Sequence, residues 1–158
     1  MHFDASGIIH AWDEYPIEHF PAFWQWIELR VRNGECRICE EAFREVEHKY
    51  PECAAWLKER EIQRILLNDD VLQEANAIKN LLEIEEEDFG SGVDENDLYV
   101  IATAKMEAES VLTTEARQNN LPQKKKNYKI PAVCEMNEVS VVHQNVREWI
   151  LSSGEVFG

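Results

Sequence analysis

Positive charge is scarce in this chain. Sixteen lysines and arginines face 31 aspartates and glutamates in 158 residues, a formal net charge of −15. Free-standing nucleic-acid binders usually present a net basic surface, so bulk charge does not bring nucleic acid here. Such a contact needs a local basic patch or bridging cations, and the acidic excess suits a metal ion or a basic protein partner. Long apolar runs are also missing, so no membrane span is expected. Met1-His2-Phe3-Asp4 places a charge where the apolar part of a secretory leader should begin, which predicts a cytoplasmic protein. Only six residues are glycine, and none build a phosphate-cradling glycine loop. The four cysteines, Cys36, Cys39, Cys53 and Cys134, read as reduced thiols rather than a disulfide framework. Cys36 and Cys39 have CxxC spacing but no second close pair, so zinc would need Cys53, Cys134 or a histidine. Glu35-Cys36-Arg37-Ile38-Cys39 reads more readily as a short strand with small buried thiols. The histidines (His2, His10, His19, His48 and His143) show no ligand spacing, and no Ser/His/Asp or Cys/His motif is present.

Hydrophobic residues make up 44% of the chain, enough for a core in one domain spanning 1–158. Short strands are expected over Met1 to Ala5, Cys36 to Cys39, Ile62 to Leu67, Ser110 to Thr113 and Val139 to Val142. Helical spacing runs from Pro16 to Asn33, stopped by Asn33-Gly34, and from Glu40 to Tyr50, stopped before Pro51. Further helices are expected over Glu52 to Arg60, after the capping run Asn68-Asp69-Asp70, from Asn96 or Asp97 to Ala108, after Ile130-Pro131, and over Val146 to Leu151. Residues 83–94 and 115–129 read as loops. Strands alternating with helices predict an α/β fold with a mostly parallel sheet of four to five strands. Such sheets place chemistry at the carboxyl ends of strands, near the reversal of strand order.

Four acids fall at positions of that kind. Asp4 ends the first strand, with Ser6 two residues on; a carboxylate and a hydroxyl there can hold a divalent cation or can cap a helix. Glu41 and Glu45 share one helical face, either as site acids or as a solvated surface. Asp97 opens an apolar helix, where the helix dipole favours its charge and plain capping explains it equally well. Glu115 follows the strand that ends at Thr113.

Together these residues resemble the PIN domain, the fold of many metal-dependent ribonucleases and of VapC-type toxins. Phe3-Asp4-Ala5-Ser6 resembles its opening strand, Glu45-Val46 its helical Glu-Leu, and Asp97-Leu98-Tyr99-Val100-Ile101-Ala102-Thr103-Ala104 its Asp with an alanine-rich helix. Thr113-Thr114-Glu115 resembles its Thr-x-Asp with Glu for Asp, and Ile130-Pro131-Ala132-Val133-Cys134 resembles a PIN-like toxin subfamily. The resemblance covers nearly the whole chain and implies a three-layer sandwich. It also implies a divalent-metal-dependent endoribonuclease, the toxin of a toxin–antitoxin pair, with RNA, an antitoxin protein and a possible homodimer as partners. Asp4, Asp97 and Glu115 would hold Mg²⁺ or Mn²⁺, Glu45 would be a fourth catalytic acid, and Ser6 and Thr113 would donate hydrogen bonds in the pocket.

Lys124, Lys125 and Lys126 form the only basic run; they either hold RNA phosphate, with Tyr128 stacking on a base, or lie on a solvated loop. Trp12, Phe20, Phe23, Trp24 and Trp26 lean towards an interaction surface. A competing function is a non-catalytic PIN-like interaction module with an acidic surface. Haloacid-dehalogenase-type phosphatases also open with a strand-end Asp, but they need a second Asp where Ser6 stands.

Overall fold

A computed structural model describes residues 1–157. Its strands are β1 (His2–Phe3), β2 (Arg37–Cys39), β3 (Gln63–Ile65), β4 (Val111–Leu112) and β5 (His143–Gln144). They form one sheet in the order β3-β2-β1-β4-β5, with every neighbouring pair parallel. The helices are α1 (Ala5–Glu14), α2 (Pro21–Arg32), α3 (Glu40–Lys49), α4 (Pro51–Glu59), α5 (Asp69–Leu81), α6 (Glu95–Met106), α7 (Ile130–Cys134) and α8 (Val146–Ser153). Right-handed crossovers place α1 to α4 on one face of the sheet and α5 to α7 on the other. Packing agrees: α1 and α4 meet α3, α5 and α7 meet α6, and α8 returns to α1. The result is the α/β three-layer sandwich expected from the sequence.

Topology decides where the chemistry sits. The chain moves outward from β1 to β2 to β3, then crosses back to β4 on the other side of β1. Strand order therefore reverses between β1 and β4, which leaves a crevice at their carboxyl ends. Phe3 is in register with Ile38 and with Leu112, so Asp4 comes level with Cys39 and Thr113. The Asp4 N–H donates to the Leu112 carbonyl at 3.0 Å, which carries the ladder one residue further. Helix α1 begins immediately beyond and lies so close to β4 that a Cβ on Gly7 would overlap the Leu112 carbonyl oxygen and stand 2.8 Å from its carbon.

Helix α6 forms the middle of its layer. Leu98, Val100, Ile101, Ala102, Thr103 and Ala104 are all buried, against β1, β2, β4, α3, α5 and α7. Thr103 is tolerated there because its hydroxyl donates to the Tyr99 carbonyl at 2.7 Å. Among the described residues, no helix is long and apolar enough to cross a membrane.

Three expectations need correction. Residues 5–14 form α1, which the periodicity did not reveal because its buried face is built partly from Ala5, Gly7 and Ala11; α2 accordingly starts only at Pro21. Residues 139–142 are not a strand: Ser140 takes φ +50°, and pairing with β4 begins where Val111 donates to the Val142 carbonyl at 2.9 Å. The aromatic helix is core rather than an interaction surface. Phe23, Trp24 and Trp26 are buried, with Trp24 4.8 Å from Trp56 and Trp26 4.4 Å from Trp149 between ring centres. Of the five aromatics, Phe20 alone is exposed.

Candidate metal centre at the strand-order reversal

Asp4 is the hub. It is 4% exposed, and its Oδ2 accepts hydrogen bonds from the Ser6 hydroxyl and, at 3.2 Å, from the Thr113 hydroxyl. Ser6 Oγ and Thr113 Oγ1 lie 3.2 Å apart, and the Thr114 N–H donates to Ser6 Oγ at 3.2 Å. Two elements distant in sequence thus meet around one carboxylate. Burial pushes the Asp4 carboxyl from 3.8 up to about 6, against the two hydroxyl donors and with the charges of Glu115 and Glu45 adding to the rise.

Asp97 reaches the same region from the start of α6. Its Oδ2 accepts the Asp94 N–H at 2.9 Å while Asp94 accepts the Asp97 N–H at 3.0 Å, a reciprocal capping box. Capping and site membership therefore coexist at this residue. Burial first, then the charges of Asp4, Asp94 and Glu115, push the Asp97 carboxyl to about 8, against the pull of its capping hydrogen bond. Glu115 is held by the Ile130 N–H, which donates to its Oε2 at 2.7 Å, and its own N–H donates to Thr113 Oγ1 at 3.3 Å.

The three acidic neighbours on α3 separate by partner. Glu40 is buried and grips Arg64 with two bonds of 2.8 and 2.5 Å, a structural pair between α3 and β3. Glu45 raises Asp4 and pairs with Lys49 at 2.6 Å. Glu41 has one buried carboxylate oxygen, Oε2, with no hydrogen-bond partner. Lys49 was not singled out in the sequence; its signal was the i, i+4 spacing from Glu45. The Lys49 ammonium is held protonated by Glu45 first, and by the charges of Asp4 and Asp94.

The lysine run lies elsewhere. Lys124, Lys125 and Lys126 line a cleft of about 230 Å³ with Leu82 and Glu83, and Lys126 pairs with Asp88 at 2.7 Å. Tyr128 is half-buried against the core. This segment is pinned to the loop ahead of α6: Ser91 N–H donates to Asn127 Oδ1 at 3.0 Å, and Val93 N–H to the Tyr128 carbonyl at 2.8 Å. The four cysteines are buried, unbridged, and each pushed up to about 12 by burial, so the thiolate that zinc requires is suppressed.

Residues 1–150 match a family model described as a domain of unknown function, DUF4411. The chain belongs to the DUF4411 family. Among curated proteins, none matches it. The donor chemistry of this DUF4411 chain suits a hard divalent cation: carboxylate oxygens from Asp4, Glu45, Asp97 and Glu115, and the unpartnered Glu41 Oε2 nearby on α3. The acids converge without closing into a cage; among the described residues, no group of three or more His, Cys, Asp or Glu side chains is close enough to hold an ion.

Proposed function

We propose that this protein is a PIN-like, divalent-metal-dependent endoribonuclease of the cytoplasm. The observation that carries the reading is electrostatic. Glu45, Asp97 and Glu115 surround the buried Asp4 at the strand-order reversal, and their charges hold the Asp4 and Asp97 carboxyls well above the ordinary aspartate range. Like charges gathered this way are relieved by a cation. Mg²⁺ or Mn²⁺ would be held by Asp4, Asp97 and Glu115, with Glu45 as the fourth acid. When bound, such an ion lowers the pKa of an attacking water and steadies the leaving oxygen of a phosphodiester. The chain's own part is orientation. Ser6 and Thr113 fix the Asp4 carboxylate through its Oδ2, and Ile130 fixes that of Glu115. Pairing with an antitoxin protein, and homodimerisation, are proposed on the PIN resemblance alone.

The test is cleavage of single-stranded and structured RNA by the full chain with Mg²⁺, with Mn²⁺ and with EDTA, beside Asp97→Asn. Cleavage should need the metal. The variant should lose more than the roughly 10–100-fold that changes in residues merely supporting a metal's ligands cost. No cleavage of any RNA, together with no thermal shift on adding Mn²⁺, would leave the non-catalytic interaction module as the reading.

A further inference from the structure

We propose that Lys49 is a built-in cation of the acid site, so that the site takes one divalent ion rather than two. The inference rests on the metal-centre reading above and concerns how that centre is filled. Asp4 has two flanks. Towards α6 and β4 stand Asp97 and Glu115. Towards α3 stands Glu45, whose Oε1 is taken by Lys49 Nζ at 2.6 Å. Glu45 and Lys49 line a cleft of about 320 Å³ together with Ser6, Thr114, Asp13 and Tyr50. Neither Asp97 nor Glu115 lines it. Ser6 and Thr114 are also the residues that adjoin Asp4 and Glu115, so the cleft opens beside the hub rather than at a remote surface.

Two features separate this pair from an ordinary surface contact. An exposed pair at i, i+4 adds almost nothing to fold stability, so stability does not explain it. The rest of the cleft also gives Lys49 no competing anchor. Tyr50 donates its hydroxyl to Asp13 at 2.6 Å, which leaves Glu45 as the carboxylate that Lys49 holds. A second divalent ion on the α3 flank would need the Glu45 oxygen that the ammonium already holds. The flank formed by Asp97 and Glu115 has no such internal cation; the Glu115 carboxylate oxygen there is met by a backbone N–H. One ion therefore belongs with Asp97, Glu115 and Asp4. Lys49 supplies the positive charge on the other side of Asp4, facing a cleft that a phosphodiester can enter.

The experiment is a Mn²⁺ titration of the full-length protein at pH 8, counting bound ions by electron paramagnetic resonance, for wild type, Lys49→Met, Lys49→Arg and Lys58→Met. Wild type, Lys49→Arg and the remote Lys58→Met should each bind one ion. Lys49→Met should bind two, because Glu45 is released. Lys49 is exposed, so Lys49→Met should keep the wild-type circular dichroism spectrum and the count should be read on folded protein. Two ions on wild type, or one ion on Lys49→Met, would overturn the assignment. If wild type binds two ions and still cleaves RNA only with metal, the assignment falls and the ribonuclease reading stands. No bound ion on any variant overturns both.

Discussion

Replacing Asp97 with Asn should make the metal-free protein more stable, and by an amount that grows with pH. The Asp97 carboxyl lies near 8 in the fold against an ordinary 3.8, a span of roughly four pH units, each worth ~1.4 kcal/mol of differential stability. The sign follows from the direction. A carboxyl raised by folding is held more tightly as the acid in the folded chain. Its cost is absent below about pH 4, accumulates as pH climbs, and levels off above about 8. The full span corresponds to about 5 kcal/mol, but Asp97 is only half-buried at a helix end. Solvent screening cuts this to about 2–3 kcal/mol. Asn keeps an oxygen for the Asp94 N–H, so the capping box survives the change. For a chain of this size that stabilisation is a rise of about 5–10 °C in Tm. The assay is urea unfolding of both proteins at pH 4, 6 and 8, without and with Mn²⁺. The difference between the two isolates Asp97 from the other acids, of which Glu28, Glu40, Glu109 and Glu148 are held below the ordinary range and titrate with the opposite sign. The difference should be near zero at pH 4 and largest at pH 8. Mn²⁺ should stabilise wild type and do so more strongly than the variant. A variant less stable than wild type at pH 8 would refute the claim that Asp97 sits among unrelieved like charges.

Glu40→Gln should destabilise the fold by about 1–2 kcal/mol at neutral pH, between the values for exposed and buried pairs, because Arg64 loses a two-pronged partner. Arg64 holds the Glu40 carboxyl below the ordinary glutamate range, so the penalty should shrink as pH falls below 4, which unfolding curves at pH 7 and 3 would show. Gly92→Ala should cost about 1–3 kcal/mol by overpacking, since a Cβ there overlaps the Tyr128 carbonyl oxygen and stands 2.5 Å from the Asn127 carbonyl carbon. Thermal melts would detect it. Gly154→Ala, with open space around its Cβ, should show only the smaller penalty of its positive φ.

Elements with strong local grammar were legible in the sequence. Asn68 before Asp69-Asp70 caps α5 through the Val71 N–H at 2.9 Å, Gly34 stops α2 at φ +72°, and the run from Asp97 to Ala104 is the buried helix α6. Helix α1 was not legible because small residues on its buried face blur the period, and β5 was displaced because Ser140 breaks the valine run. Among the acids, Asp4 and Glu115 followed from their place at strand ends, since a parallel sheet brings those ends together. Lys49 was hidden, because only the fold shows that an exposed lysine on α3 faces the crevice beside Asp4. Glu40, Glu41 and Glu45 could be separated only by their partners, which are set by long-range packing: Arg64 on β3 for the first, no partner for one oxygen of the second, and Lys49 for the third.

Burial of α6 along residues 98 to 104 leaves that helix no wet stripe on which to slide or tilt. Moving it would require the sheet, α3, α5 and α7 to shift together. Asp97 is therefore the stationary reference of the crevice, mounted on the stiffest member of the molecule. Glu45 and Lys49 are half-exposed or exposed on α3, and Glu115 begins a loop that runs to α7. Accommodation to an incoming ion or strand falls to those residues, and the acid on α6 sets the position to which they adjust.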